Sequence, residues 1–135
     1  MNGEVIIASA ANPAPRGAVD RRYEFRIAEV DLARSPEWKQ QPAQRPPLPI
    51  EAAVQKAQQA IRSVPTEPLF AWGTPEKIVL LHAPLRELGR QVWLYVVHFV
   101  AFPPSGMGTS GGWPRYEIVV LMSGKVYLPV PVRTG

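Results

Sequence analysis

The sequence predicts an α+β domain in which a single helix packs on an antiparallel four- to five-stranded meander sheet, in the order β-α-β-β-β-β. Three observations predict it. Gln91–Phe102 and Arg115–Met122 are long apolar runs rich in β-branched and aromatic residues, which suit a pleated, half-buried surface. Ser123-Gly124 then turns the chain into Lys125-Val-Tyr-Leu-Pro-Val130. Between Ile50 and Val64, apolar residues recur at helical rather than strand spacing.

At the N-terminus, Val5–Ala10 is short, and the Pro/Ala-rich breaker Asn12–Gly17 comes directly after it, so it reads as a short strand detached from the rest. Residues 1–21 are therefore taken as an N-terminal segment, 22–132 as the single domain and 133–135 as a tail. Arg22–Val30 alternates, with Tyr23, Phe25 and Ile27 on one face and Arg22, Glu24 and Arg26 on the other. That is the pattern of a strand solvated on one side, and its charges suit a sheet edge. Leu32–Pro49 carries five prolines and predicts an irregular connection pinned at Trp38.

The helix comes next. Ile50, Ala53, Val54, Ala57, Ile61 and Val64 share one face, Pro49 fits the first turn, and Pro65 stops the helix. The alanines let its axis approach a sheet closely. Glu76–Ala83 is the next strand, and Pro84–Arg90 leads into Gln91–Phe102. In that strand Trp93, Tyr95, Val97 and Phe99 fill one face, and Val92, Leu94, Val96 and Val100 fill the other. A strand apolar on both faces is central and covered twice. One cover is the helix; the other falls to the long connection, the N-terminal segment or another subunit. Pro129 and Pro131 cannot donate to a ladder, so the last strand ends at, or lies along, an edge.

The helix Ala52-Ala-Val-Gln-Lys-Ala57 succeeded by a meander whose late hairpin is Tyr116-Glu-Ile-Val-Val-Leu-Met-Ser-Gly-Lys-Val-Tyr127 resembles the small PepSY-like and cystatin-like domains. The resemblance spans Tyr23–Val130 at the level of element order. It implies a non-catalytic module, often extracytoplasmic, that inhibits peptidases or binds partners.

Length and composition narrow the function classes. A chain of 135 residues with 46% hydrophobic residues buries a core without staples. No cysteine is present, which removes disulfides, thiolate nucleophiles and cysteine-ligated metals together. The net charge of +4 comes from 11 arginines and 4 lysines, but they are scattered, with Glu24 and Glu29 close behind Arg21-Arg22. No stripe tracks a phosphate backbone, so nucleic acid is not an expected partner. No apolar run reaches membrane-spanning length, so a soluble domain without membrane insertion is expected. Ala8-Ser-Ala10 has the form of a signal-peptidase site, but the apolar stretch before it is only Val5–Ala8 and comes after Glu4. The compartment is extracytoplasmic if a leader precedes this numbering and cytoplasmic otherwise.

Motif by motif, packing explains more than chemistry does. Gly106-Met-Gly108-Thr-Ser-Gly111 has the spacing of a dinucleotide fingerprint, yet Gly112-Trp-Pro114 leads into a strand and not into the helix whose N-terminus would hold a pyrophosphate; nucleotide is not expected. With a turn near Glu87, His82 falls opposite Val92 and His98 near Glu76, about 20 Å apart at strand rise. The two histidines then share no metal, and each reads as a hydrogen-bonded sheet residue. A serine hydrolase lacks a local signature: the aspartates are Asp20 and Asp31, and Glu117 beside Arg115 reads as a solvated pair on a strand face. Arg45-Pro-Pro-Leu-Pro49 has the form of a polyproline ligand but runs straight into the helix, as a stiff connector does.

The sequence therefore points to a non-catalytic protein-binding or structural subunit without cofactor or metal, whose partner is another protein or copies of itself. Chelators are expected to leave its melting temperature unchanged. A peptidase inhibitor of PepSY/cystatin-like type and a cone-shaped α+β domain with a small-molecule cavity between helix and sheet are the alternatives. The long connection Pro103–Pro114 is the expected contact region, with Trp113 and Met107 as its large apolar groups and Trp38 as a further candidate. For Trp113 the competing expectation is that it folds back over the sheet edge.

Overall fold

The computed structural model describes residues 3–13, 22–38, 45–66, 69–83, 92–104 and 113–132. The fold is mixed α+β, with one main helix and antiparallel sheets. Its strands are β1 (Glu4–Ser9), β2 (Tyr23–Ala28), β3 (Ala71–Trp72), β4 (Lys77–His82), β5 (Trp93–Phe102), β6 (Arg115–Leu121), β7 (Val126–Tyr127) and β8 (Val130–Pro131); the helices are α1 (Glu29–Arg34) and α2 (Ile50–Ile61).

Antiparallel pairing around β5 is as expected, but among the described residues the element order is β-β-α-α followed by six strands and not β-α-β-β-β-β. β5 pairs with β4 from Lys77↔His98 to His82↔Trp93 and with β6 from Leu94↔Leu121 to Val100↔Arg115, and β6 returns into β7. The return uses a three-residue loop in which Gly124 adopts φ +93°, a left-handed conformation that glycine reaches without a Cβ clash. β3 joins the same edge of β5 beyond β4, at Trp72↔Ala101. Between the two, residues 73–76 oppose only residues 99–100, so the edge is kinked there.

Both faces of β5 are buried, and the two covers differ. On one face α2 sets Ala53, Ala57 and Ile61 against Tyr95, Val97, Phe99, Ile118 and Val120. Ala53 and Ala57 have no exposed surface, which is the close helix approach that the alanines permit. Ile50, expected on that buried face, is 45% exposed: the buried seam runs through positions 53, 57 and 61, and Ile50 lies beyond the side it covers. The regular helix ends at Ile61, and single-turn bonds from Ser63 and Val64 close it before Pro65.

The opposite face carries Leu94, Val96, Val119 and Leu121. It is covered by Val5 from β1, Phe25 and Ile27 from β2, and Leu32 from α1. Two expectations are corrected here. β2 is not an edge of the meander; it is the middle strand of a separate sheet, β1-β2-β8. β1 is not detached, because it pairs with β2 along its whole length from Glu4↔Ala28 to Ser9↔Tyr23. The physical reason is that a two-sided apolar strand needs a second layer, and β2 supplies more by stacking Phe25 and Ile27 on that face than by extending the sheet sideways.

The strand expected to reach Val30 ends at Ala28. Glu29–Arg34 turns helical, with acids in its first turn and Arg34 in its last, each at the favourable end of the helix dipole. The charged face of β2 is also less solvated than its alternation implies: Glu24 is buried, and Arg26 lies between Glu24 at 3.6 Å and Glu4 at 3.3 Å.

Candidate functional site

Two regions gather chemistry-bearing or exposed apolar side chains. The first lies where β5 hands over to β6. Register brings Phe102 at the end of β5 close to Trp113, and Ala101 N–H donates to Pro114 O at 2.9 Å. Their rings meet edge-to-face with centroids 5.2 Å apart, yet Phe102 stays 45% and Trp113 37% exposed. The Phe102 ring lies on Gly73, where an added Cβ would sit 2.4 Å from it. Trp113 thus does fold against the sheet end, and it also presents a face to solvent. Met107 and the Gly106–Gly111 stretch lie outside the described residues. Trp38 is elsewhere: it packs edge-to-face on Trp93 at 5.8 Å and pins the proline-rich connection, helped by Tyr95 Oη–H donating to Leu48 O at 2.6 Å.

The second region is a recess of about 160 Å³ near the same sheet end, lined by Ala10, Glu76, Lys77, His98, Arg115 and Glu117 among others. Cross-strand pairing places His98 opposite Glu117, with Nε2 3.3 Å from Oε2. The other carboxylate oxygen accepts from Ser9 Oγ at 2.8 Å and from Ala10 N–H. Ser9 Oγ in turn accepts from Ala11 N–H at 3.1 Å. Burial holds the His98 imidazole below its ordinary pKa; the adjacent Glu117 carboxylate opposes that shift.

Glu117 is therefore not a solvated partner of Arg115. The end of β1 covers it to 8% exposure, while Arg115 points to Glu76 at 3.9 Å. Sequence reasoning missed this knot because Ser9 and Glu117 are 108 positions apart.

Chemically, the order of this chain of contacts matters. A hydrolytic triad needs the hydroxyl against the imidazole, so that the base can take its proton. Here the carboxylate stands between them, and among the described residues the hydroxyl is committed to Glu117. His82 is also separate: it packs on Trp93 with centroids 5.1 Å apart, five rungs from His98 in register, or about 17 Å at strand rise. Among the described residues no group of three or more His, Asp or Glu is placed to hold a metal.

A second polar knot joins α1 to the late hairpin. Asp31 Oδ2 accepts from the Tyr127 hydroxyl and lies 2.6 Å from Lys125 Nζ, and Ala28 N–H donates to Tyr127 Oη at 3.2 Å. The hydrogen bonds from Lys125 and Tyr127 hold the Asp31 carboxyl below its usual range. No described helix is long and apolar enough to cross a membrane. No protein-family model matches this chain, and neither the curated proteins nor the solved structures compared with it give a match.

Proposed function

We propose that this chain is a non-catalytic protein-binding or structural subunit, without cofactor, that engages another protein or copies of itself. The observation that carries this reading is the exposed Phe102–Trp113 pair: two large aromatic groups, held by the sheet end and open to solvent, of the kind that anchors an interface. Two further features support it. The titratable groups of the polar recess are bonded to one another in an order that sets the Ser9 hydroxyl against the Glu117 carboxylate and not against the His98 imidazole. The centre of the helix–sheet interface is filled by Ala53, Ala57, Tyr95 and Ile118, and the recesses along α2 open to solvent, unlike the enclosed cavity that a small-molecule carrier needs.

The helix over the β4–β7 meander is the arrangement on which the likeness to PepSY-like and cystatin-like modules rests, and those modules bind partners. The inhibitor form of that reading gains less support. The β6–β7 turn and the start of β5 lie at one end of the sheet and Trp113 at the other, so the loops do not line up as one wedge.

The test uses material purified from its native source. Native mass measurement is expected to find an assembly heavier than 14.9 kDa, and Trp113→Ala is expected to release the partner with the melting temperature nearly unchanged. A stability loss of about 3 kcal/mol or more, the size of a core truncation, would instead assign Trp113 to the fold.

A further inference from the structure

We infer that β4 is a dimer edge, at which a second copy of this chain adds its own β4 antiparallel to the first about a two-fold axis through Leu80. The inference deepens the protein-binding reading by naming a partner, and it rests on a different surface from Trp113.

The hydrogen-bond phase of the edge is fixed by geometry. Ala83 N–H donates to Val92 O at 2.8 Å, in the register that runs from Lys77↔His98 to His82↔Trp93. Main-chain groups alternate in direction along an antiparallel strand. Residues 77, 79, 81 and 83 therefore point into the ladder with β5, and Ile78, Leu80 and His82 turn their N–H and C=O groups outward. Among the described residues none of those six groups has a partner.

Exposed edges are ordinarily blunted by proline, a bulge, an inward charge or brevity. β4 has none of these within Ile78–Leu81, which is apolar throughout. The other described edges differ: β3, β7 and β8 are two residues long, and β1 turns out Glu4, Ile6 and Ala8, a charge and a small side chain among them.

Self-pairing satisfies this edge in a way that favours a second copy. Three outward positions centred on Leu80 form a set that maps onto itself under a two-fold rotation. Ile78 then meets His82 of the second copy, Leu80 meets Leu80 of the second copy, and all six outward groups are paired. Side chains continue both cores across the junction, Ile78 and Leu80 on the α2 side and Val79 and Leu81 on the other. On the α2 side the edge is bordered by an open groove in which Ile50, Val54 and Ile78 alternate with Glu51, Gln55 and Gln58, so a neighbouring strand there meets both apolar and polar side chains. Charge agrees. Lys77, the only formal charge on β4, sits at its end, so the two ammoniums fall about 20 Å apart.

Because the chain has no cysteine, register can be read directly. At tens of micromolar, sedimentation is expected to give twice 14.9 kDa. Leu80→Cys is expected to cross-link to itself under mild oxidant, since directly opposed residues lie within disulfide reach. Ile78→Cys alone is not, because its own counterpart would be four rungs away. Leu80→Pro removes an outward donor without removing one from the β5 ladder, and is expected to weaken association at least about tenfold.

A monomer at that concentration would overturn the proposal. So would cross-linking of Ile78→Cys as readily as Leu80→Cys, or protection of the 78, 80 and 82 amides in a monomer, which would mean that the chain covers its own edge. A monomer that still loses a partner on Trp113→Ala would end the dimer and leave the binding reading standing. A dimer indifferent to Trp113→Ala, with no other partner released by that change, would do the reverse for the Trp113 surface.

Discussion

Ser9, at the end of β1, donates its hydroxyl to Glu117 on β6 at 2.8 Å, and this bond ties the smaller sheet to the central meander. The Ala10 N–H reaches the same carboxylate oxygen. A buried donor stripped of its acceptor costs more than the bond itself is worth, because water does not replace it. Glu117→Ala is therefore expected to destabilise the fold by about 2–3 kcal/mol in urea unfolding, and Glu117→Gln, which keeps an acceptor, by clearly less. Equal losses would show that Glu117 matters only as packing volume.

His98 faces the other oxygen of Glu117, and burial holds its pKa below 6.5. In the unfolded chain this imidazole takes up a proton as pH falls through about 6.5, whereas the folded chain delays uptake to lower pH. The unfolded state thus binds more protons in that window, and stability falls as pH drops from about 6.5 toward the folded value, levelling out beneath it. His98→Gln is expected to flatten that part of the stability–pH curve. An unchanged slope would place the titration on another group.

The elements that local pattern specifies were legible in the sequence: α2, the strands from β4 to β6, the Ser123-Gly124 turn, and the need for a second cover over β5. The identity of that cover was not legible. Phe25 and Ile27 alternate identically whether β2 extends the sheet or stacks on it, because the period of two reports which residues are buried and not what buries them. α1 was hidden for a different reason. Its six residues are too few for a helical period, and the acids before Arg34 were its only signal. The polar knots were illegible because Ser9–Glu117 and Asp31–Tyr127 join residues about a hundred positions apart, and only the stacking of the two sheets brings them together.

Tyr127 is expected to be the more costly member of the α1 knot to lose. Its hydroxyl donates to Asp31 and accepts from Ala28 N–H, so Tyr127→Phe leaves two groups short of a partner, at about 1–2 kcal/mol. Lys125 is 54% exposed, so solvent screens its ion pair and Lys125→Met is expected to cost much less. If Lys125→Met costs as much as Tyr127→Phe, the ion pair and not the hydroxyl carries the knot.

Acid should release the same knot by a separate route. The Asp31 carboxyl is held below its ordinary 3.8, so the stability it contributes is present above that pH and is lost as pH falls through the lower, folded value. Asp31→Asn is expected to reduce the acid dependence below pH 3.8 and to leave the His98 window untouched. Loss of both windows together would mean that the two knots are coupled through the sheets.

β5 is paired on both edges, with β4 and β6, and covered on both faces, so opening it requires disruption of both layers of the fold. Amides with no cheaper local route exchange only through near-global unfolding. Hydrogen exchange is therefore expected to place Trp93–Val100 among the slowest amides in the protein. The single-sided strands give the contrast: the outward amides of Ile78, Leu80 and His82 should exchange quickly in a monomer and slow down when the concentration is raised into the dimer range. Fast exchange across Trp93–Val100 under conditions where α2 is still protected would remove β5 from the centre, because the helix cannot stay packed on Tyr95 and Val97 if the strand beneath it opens independently.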